Sequence, residues 1–431
     1  MPTRKVNIVS LGCSKNLVDS ERLMRMLSDV GFEVSHESDS DRHDIVVINT
    51  CGFIGDAKEE SIDAILSWSE AKREGRIGCL IVMGCLSERY LSELTAEIPE
   101  VDRWYGKTDW VKMAADLSRR YPASAPYDRV ITTPKHHAYL KVSEGCDRFC
   151  AFCAIPLITG RHRSRTIDSL VEEAEMLVAR GVKELNVIAQ DLSSYGKDIY
   201  GRQALAELVD KLADVRGVEW IRLHYLYPSD FPMDLLDVMA RRDNVCKYID
   251  LALQHVSDTV LANMRRHING EQTRELLRTI REKVPGIHIR TTLMTGFPGE
   301  DDEAFAELVE FVKEQRFERM GAFAYCEEEG TYGAKHLEDS IDEEVKQSRL
   351  DRLMAVQEEI SNEIQQSKVG EELKVIVDRE EDDYYVGRSQ YDSPEVDPEV
   401  LIKKSRELKR GEFCMVKIME AMPFELIGEL I

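Results

Sequence analysis

The 431-residue chain has no uninterrupted apolar run near the roughly 18 residues that a membrane helix needs, so no spanning segment is expected. Its first eleven residues, Met1 to Leu11, contain too short and too polar an apolar stretch for a signal peptide. The chain is therefore expected to be soluble and cytoplasmic, with no membrane partner. Positive charge is also scarce: 57 Lys and Arg stand against 80 Asp and Glu, a net charge of −23. So acidic a chain repels phosphate backbones on average, which disfavours nucleic acid as the default partner. There is no internal repeat and no low-complexity tract. At roughly 150 residues per domain the length suggests about three domains.

Cysteine, by contrast, is plentiful. The ten are Cys13, Cys51, Cys79, Cys85, Cys146, Cys150, Cys153, Cys246, Cys326 and Cys414. In a reducing compartment structural disulfides are not expected, and thiols point instead to metal ligands or reactive groups. Cys146, Cys150 and Cys153 fall within eight residues of one another.

Buried-type apolar strands alternate with helical patterns through the first 120 residues: Val6 to Leu11, Phe32 to Ser35, Asp44 to Thr50 and Leu80 to Gly84 are the strands. This alternation predicts a doubly wound parallel α/β domain over residues 1–120. Cys13, Cys51 and Cys85 each lie just beyond the carboxyl end of a strand, and in an open parallel sheet those ends line one crevice where three distant thiols can converge. Residues 121–137, beginning Tyr121-Pro-Ala-Ser-Ala-Pro-Tyr and ending in His136-His137, read as a solvated linker. Six further strands are predicted between 138 and 338, from Ala138, Glu184, Glu219, Lys247, Ile287 and Met320, separated by helices such as Ile167 to Arg180. Six strand–helix units make a partial (βα)6 barrel, which places its chemistry on the loops after the strands. The cysteine cluster follows the first of them. Residues 339–368 have helical apolar spacing and predict a connecting helix ending before Gly370. Short alternating runs over 369–431 predict a small antiparallel β-barrel.

Cys146-Asp-Arg-Phe-Cys150-Ala-Phe-Cys153 offers three thiolates at a spacing that suits an iron–sulfur cluster. No fourth cysteine follows; the chain continues Ala154-Ile155-Pro156. One iron would then lack a protein ligand and be free to bind a substrate. The alternative reading is zinc, completed by His162. Cys79, Cys246, Cys326 and Cys414 are expected to be packing residues. His255 is either a site residue or a satisfied polar group, and Glu300 is expected to favour the start of a helix.

The CxxxCxxC loop resembles that of the radical S-adenosylmethionine superfamily, and the likeness extends along nearly the whole chain. Leu11-Gly-Cys-Ser-Lys-Asn-Leu-Val-Asp-Ser-Glu21, Asn49-Thr-Cys-Gly-Phe53, Met83-Gly-Cys-Leu86, Ser143-Glu-Gly-Cys-Asp-Arg-Phe-Cys-Ala-Phe-Cys153 and Gly296-Phe-Pro-Gly-Glu300 are similar to the methylthiotransferases of that superfamily, including a TRAM-like C-terminal barrel. Gly-Cys-Ser-Lys-Asn is similar to the branch that modifies a ribosomal protein rather than tRNA. Ala252 and Thr159 depart from the family pattern, standing where Pro and Arg are frequent.

The resemblance implies two 4Fe–4S clusters, one on Cys146, Cys150 and Cys153 and an auxiliary one on Cys13, Cys51 and Cys85. It implies S-adenosylmethionine as cofactor, split to a 5′-deoxyadenosyl radical, with Phe152, Gln190, Thr292 and Gly296 lining it. It further implies methylthiolation of the β-carbon of an aspartate in small-subunit ribosomal protein twelve, with an electron donor and a sulfur donor as partners. Arg163 and Arg165 are candidates to neutralise the cofactor carboxylate or the substrate aspartate. Rival readings are a tRNA adenosine methylthiotransferase and a non-catalytic iron–sulfur electron carrier or sensor. Charge separates the first pair: residues 368–431 contain 10 Lys and Arg against 16 Asp and Glu, which suits a basic protein better than tRNA.

Overall fold

The computed structural model describes residues 4–38, 40, 42–53, 55–119 and 127–431. Residues 1–3 and the 121–126 part of the expected linker lie outside these. The N-terminal region runs β1 (Lys5–Ser10), α1 (Ser14–Asp29), β2 (Glu33–His36), β3 (His43–Thr50), α2 (Gly55–Arg73), β4 (Ile77–Gly84), α3 (Cys85–Glu97), β5 (Arg103–Trp104) and α4 (Trp110–Ser118). Its five strands are parallel in the order β2-β1-β3-β4-β5. The alternation of each strand supplies two cores. Val6, Ile8, Ile45, Val47, Ile81 and Met83 pack on the α1 and α4 face, and Val46, Ile48, Leu80 and Val82 pack with Ile65 and Leu86 on the other. Each fully buried Val, Ile or Leu side chain contributes roughly 1.5–3 kcal/mol. The winding direction changes between β1 and β3, so the crevice of this sheet opens above their carboxyl ends.

The second sheet begins at β6 (His137–Lys141). A two-stranded hairpin, β7 (Ser143–Glu144) with β8 (Arg163–Ser164), brackets the cysteine loop and the short helix α5 (Ile155–Thr159). After α6 (Ile167–Ala179) come β9 (Glu184–Ile188), β10 (Trp220–Leu226), β11 (Val245–Gln254), β12 (His288–Thr295) and β13 (Arg319–Ala324). All six long strands are parallel and neighbours in chain order, from β6 to β13, in one open sheet. The helix Glu343–Ser367 crosses to the C-terminal barrel of β14 (Glu372–Glu380), β15 (Tyr384–Ser389), β16 (Glu399–Lys403), β17 (Phe413–Met422) and β18 (Glu425–Leu430). This barrel is closed, and one of its five seams, β16 with β18, is parallel rather than antiparallel. The reason is arithmetic: strand direction cannot alternate all the way round a ring with an odd number of strands. Among the described residues no helix is long and apolar enough to cross a membrane.

The C-terminal barrel seats on the amino-terminal ends of the second sheet's strands, opposite the cysteines. Arg388 bonds Glu184 at the start of β9, Trp220 at the start of β10 meets Phe413 edge-on at 4.8 Å, and His288 at the start of β12 stacks on Tyr391 at 4.1 Å. His136 and His137, expected to be solvated, are instead buried in this contact. His136 Nε2 lies 2.7 Å from Asp378, and the absence of a side chain at Gly411 leaves room for its ring.

Burial, reinforced by Arg388, lowers the pKa of His137 to about 4; burial, with Arg222, lowers that of His224 to about 3. Unfolded histidines near 6.5 bind more protons than these, so stability rises with pH through this range. The stabilisation is present above pH 6.5 and is lost progressively as pH falls towards 4, at about 1.4 kcal/mol per pKa unit. Urea unfolding is expected to show a loss of stability between pH 6.5 and 5, above the titration of ordinary carboxylates, and His137→Gln should make that slope shallower. An unchanged slope in the variant would contradict this assignment.

Candidate active site

Three backbone approaches bring Cys13, Cys51 and Cys85 together. Gly12 sits at φ +85°, and a Cβ there would stand 2.7 Å from Cys51 Cβ and 2.9 Å from its sulfur. A Cβ on Gly52 would stand 2.7 Å from the Leu86 amide, and one on Gly84 (φ +106°) 2.6 Å from the Thr50 amide. Glycine is thus required wherever these loops touch. Asn16 clamps them: its Nδ2 donates to the carbonyls of Leu11 (3.1 Å) and Thr50 (3.0 Å), and its Oδ1 lies 3.6 Å from Cys85 Sγ. Ser61 Oγ meets both backbone groups of Cys51 at 3.0 Å. Cys13 precedes α1 and Cys85 begins α3, so two helix N-termini supply partial positive charge at this point. Burial pushes the Cys85 thiol up to about 12, with Lys107 opposing and Cys13 and Cys51 adding to it; burial also raises Cys51, and Cys13 adds to that. The thiols therefore lie within one another's fields. Burial thus favours the neutral thiols when no metal is bound; with a metal charge to neutralise them the same site suits thiolates.

The second trio lies in the loop between β7 and α5. Gly145 faces the carbonyl of Arg161, where a Cβ would approach to 2.1 Å. Burial raises Cys146 to about 12 and pushes Cys153 well above the usual thiol range, with Cys150 contributing to both. Cys150 Sγ lies 3.3 Å from Tyr227 Oη and accepts from Arg266 Nη1 at 3.3 Å. Both Arg266 and Arg148 lie over the Tyr227 ring, at 3.9 and 4.2 Å, and Arg148 bonds Asp191 at 2.6 Å. Among the described residues no three Cys, His or carboxylate side chains converge as ligands of one metal ion. Zinc requires bonds of about 2.3 Å from every thiolate to a common centre, whereas each iron of a cluster takes its own thiolate. His162, the fourth ligand of the zinc reading, turns away to Ser164 Oγ at 3.0 Å. Three thiolates, no fourth, and a charged donor beside one sulfur fit a cluster with one open iron.

The two trios are neighbours: Cys85 packs against Ala154 and Ile158, immediately after Cys153. Beside them lies a buried network, with Lys107 near Cys85. Lys107 bonds Asp19 (3.0 Å) and Glu144 (3.2 Å), and Lys141 bonds the same two carboxylates. The paired lysines hold Glu144 well below the usual carboxylate range despite its burial. Lys15 reaches across to the second sheet, 3.3 Å from the centre of the Tyr225 ring; burial alone would lower its pKa, but Tyr225, Cys13 and Asp250 leave it raised.

The remaining expected positions fall as follows. Gln190, just after β9, donates to Glu144. Phe152 is half-buried, edge-on to Phe297 at 6.2 Å. Thr292 lies on β12, paired with Gly321. Gly296 (φ +72°) faces Lys346 of the long helix, and its amide donates to Glu300 at 2.9 Å. Glu300 stands directly before the N-cap, Asp301, of the following helix, near its N-terminus as the sequence suggested. Its carboxylate also binds the Gly296 amide, His255 (3.0 Å) and Arg349 (2.8 Å), which satisfies His255 as a buried polar group. Arg163 is exposed on β8, and Arg165 bonds Glu173 and the Lys141 carbonyl. Cys246 and Cys414 are buried and Cys79 half-buried, but Cys326 is exposed, in the loop after β13, and is no packing residue. Ala252 contributes its carbonyl to Arg266, which either residue type at that position supplies. Thr159 bonds the Ile155 carbonyl within α5. Tyr227, Arg266 and Lys107 carry no local sequence signal, since each lies tens of residues from the thiols it meets.

The fold and thiol arrangement define the class, and comparisons with known proteins agree. Residues 140–312 match the Radical SAM superfamily, 5–106 the Uncharacterized protein family UPF0004 and 369–431 the TRAM domain. The structure resembles the radical S-adenosylmethionine methyltransferase TsrM of Kitasatospora setae (TM-score 0.57, 18% identity, 75% of each chain) and the cobalamin-dependent S-adenosylmethionine radical enzyme OxsB (TM-score 0.54, 12% identity, 83% of this chain and 56% of that one). At these identities the likeness concerns the fold alone. Among sequence relatives are the ribosomal protein uS12 methylthiotransferases RimO of Phocaeicola vulgatus (59% identity over all of both chains), Parabacteroides distasonis (58%, all of both) and Cytophaga hutchinsonii (49%, 99% of this chain and 98% of that one). The chain is a radical SAM enzyme, a transferase whose superfamily uses a 4Fe–4S cluster and S-adenosylmethionine. It belongs to the ribosomal protein uS12 methylthiotransferase family.

Proposed function

We propose that this enzyme attaches a methylthio group to the β-carbon of an aspartate in ribosomal protein uS12, using two iron–sulfur clusters. Cys146, Cys150 and Cys153 hold the cluster whose open iron takes S-adenosylmethionine, and Cys13, Cys51 and Cys85 hold the second. When bound, the first group and its cofactor would supply radical abstraction of hydrogen from an unactivated C–H bond, the second would hold the sulfur that is transferred, and a second S-adenosylmethionine molecule would supply the methyl group. The observation that carries the reading is the packing of Cys85 on Ala154 and Ile158, which sets the two thiol trios side by side.

The chain's own residues bind, orient and exclude water. Arg266 and Tyr227 fix the Cys150 sulfur, and the Arg148–Asp191 pair pins the loop that carries it. Burial of Cys51, Cys85, Cys146 and Cys150 keeps water from reactive groups. Phe152, Gln190, Thr292 and Gly296 line the cofactor, Gln190 being oriented by Glu144. In this reading residues 1–120, 138–338 and 369–431 are the domains, joined by 121–137 and by the helix within 339–368. The enzyme works in the cytoplasm with separate electron and sulfur donors. The acidic C-terminal barrel, seated away from the thiols, meets the basic substrate outside the reacting centre. The test is anaerobic incubation of reconstituted enzyme with reductant, S-adenosylmethionine and sulfide, followed by mass spectrometry of uS12 and of tRNA. The expected result is one methylthio mass on a uS12 aspartate; the mass on tRNA alone would overturn the proposal.

A further inference from the structure

A cavity of about 200 Å³ lies between α1, the start of α4 and the β7–β8 hairpin. Its lining includes Arg22, Trp110, Ser143, Glu144, Arg163 and Arg165. Four of these carry buried side-chain atoms that have no hydrogen-bond partner among the described residues: Arg22 Nε and Nη2, Arg165 Nε, Ser143 Oγ and Trp110 Nε1. Arg22 is only 6% exposed and Ser143 2%. Buried donors left without acceptors are uncommon in folded proteins, and four residues sharing one cavity point to something that is accepted there. The one lining carboxylate, Glu144, is already held by Lys107, Lys141 and Gln190. Among the described residues no other carboxylate lines the cavity, so an acceptor from a bound partner fits it.

Arg22 specifies its chemistry. Nε and Nη2 form one edge of the guanidinium, the edge that takes a carboxylate side-on with two parallel hydrogen bonds. The planes are held in place: Arg165 lies 3.6 Å over the Tyr127 ring, and Arg22 lies 5.7 Å from that ring and 5.9 Å from Trp110. Burial lowers the Arg22 pKa and Arg165 lowers it further, against Glu173, so a second anion would be welcome beside it. The volume is below the roughly 300 Å³ at which small-molecule pockets begin, and suits one side chain. The cavity also adjoins the reacting region, because Glu144 in its wall is two residues from Cys146 and shares Lys107 with the surroundings of Cys85.

We infer that this cavity holds the carboxylate of the substrate aspartate, with Arg22 as the side-on partner and Ser143 and Arg165 as supporting donors. The inference rests on the protein-aspartate reading above and deepens it by naming a specificity residue. Arg22 is a positioning residue for the substrate and takes no part in binding either cluster.

The experiment compares the reconstituted holoenzyme with Arg22→Gln and Arg22→Lys, using the uS12 segment around the modified aspartate and the same peptide with asparagine there. Wild-type enzyme should bind the aspartate peptide at least about 30-fold more tightly than the asparagine peptide, as expected for a buried charge pair. Arg22→Gln should bring the two affinities together, raise KM for uS12 by a similar factor, and leave iron content and S-adenosylmethionine affinity unchanged. Arg22→Lys preserves charge but not the two-donor edge, so it should lose most of the discrimination; it serves if the glutamine variant fails to fold. Retained discrimination in either folded variant overturns the inference. So does a parallel loss of S-adenosylmethionine affinity with peptide discrimination intact, which would assign the cavity to the cofactor's carboxylate. Failure of the underlying reading is distinct, since wild-type enzyme would then leave uS12 unmodified.

Discussion

Cys150→Ala is expected to lower S-adenosylmethionine cleavage and methylthiolation together by roughly 10³-fold or more, the behaviour of a group that acts as one unit. Cys150 is buried, and its sulfur is the one that meets both Arg266 and Tyr227. Its loss removes a ligand and leaves Arg266 Nη1 without its sulfur partner. The neighbouring thiols cannot compensate, because burial holds Cys146 and Cys153 in their neutral forms unless a metal takes the charge. Product analysis for deoxyadenosine and for methylthiolated uS12 checks this. Cleavage at the wild-type rate would remove Cys150 from the cluster.

Cys13→Ala should separate the two activities. Cys13 is exposed, and it caps α1 with no side-chain hydrogen bond, so the substitution leaves packing intact. Iron should fall from about eight to about four per chain if each trio holds one four-iron cluster. Cofactor cleavage should persist while methylthiolation is lost. A variant that still methylthiolates uS12 would exclude Cys13 from the sulfur-handling site. Cys85 is a poorer choice for this test, because its burial against Ala154 couples its loss to the loop of the other trio.

Much of this site was legible in the sequence because its ligands stand where topology must put them. A parallel sheet sends every strand's carboxyl end to one side, so Cys13, Cys51 and Cys85 could be brought together from strand assignments alone. The CxxxCxxC spacing was local and needed no fold. What escaped was long-range: Arg266 and Tyr227 reach Cys150 from loops 116 and 77 residues away, and no short motif announces them. Burial is invisible in the sequence where a distant surface arrives. His136-His137 reads as linker until the C-terminal barrel covers it, and the contacts of Glu300 with His255 and Arg349 have no local signal beyond its place before a helix. The acidity of the tail was legible but not its disposition. Asp378, Asp392 and Asp397 are spent on Arg388, Arg319 and Arg290, so the charge offered to a partner is smaller than the composition suggests.

The central claim is that two separate thiol trios hold two clusters and that only one of them is open to S-adenosylmethionine. Iron analysis with electron paramagnetic resonance of the reduced, reconstituted enzyme tests it most directly. The expected result is about eight irons per chain and two signals, of which adding S-adenosylmethionine shifts only the one lost in Cys146→Ala, Cys150→Ala or Cys153→Ala. A single signal from about four irons, or a signal that S-adenosylmethionine shifts only when Cys13, Cys51 and Cys85 are intact, would contradict it.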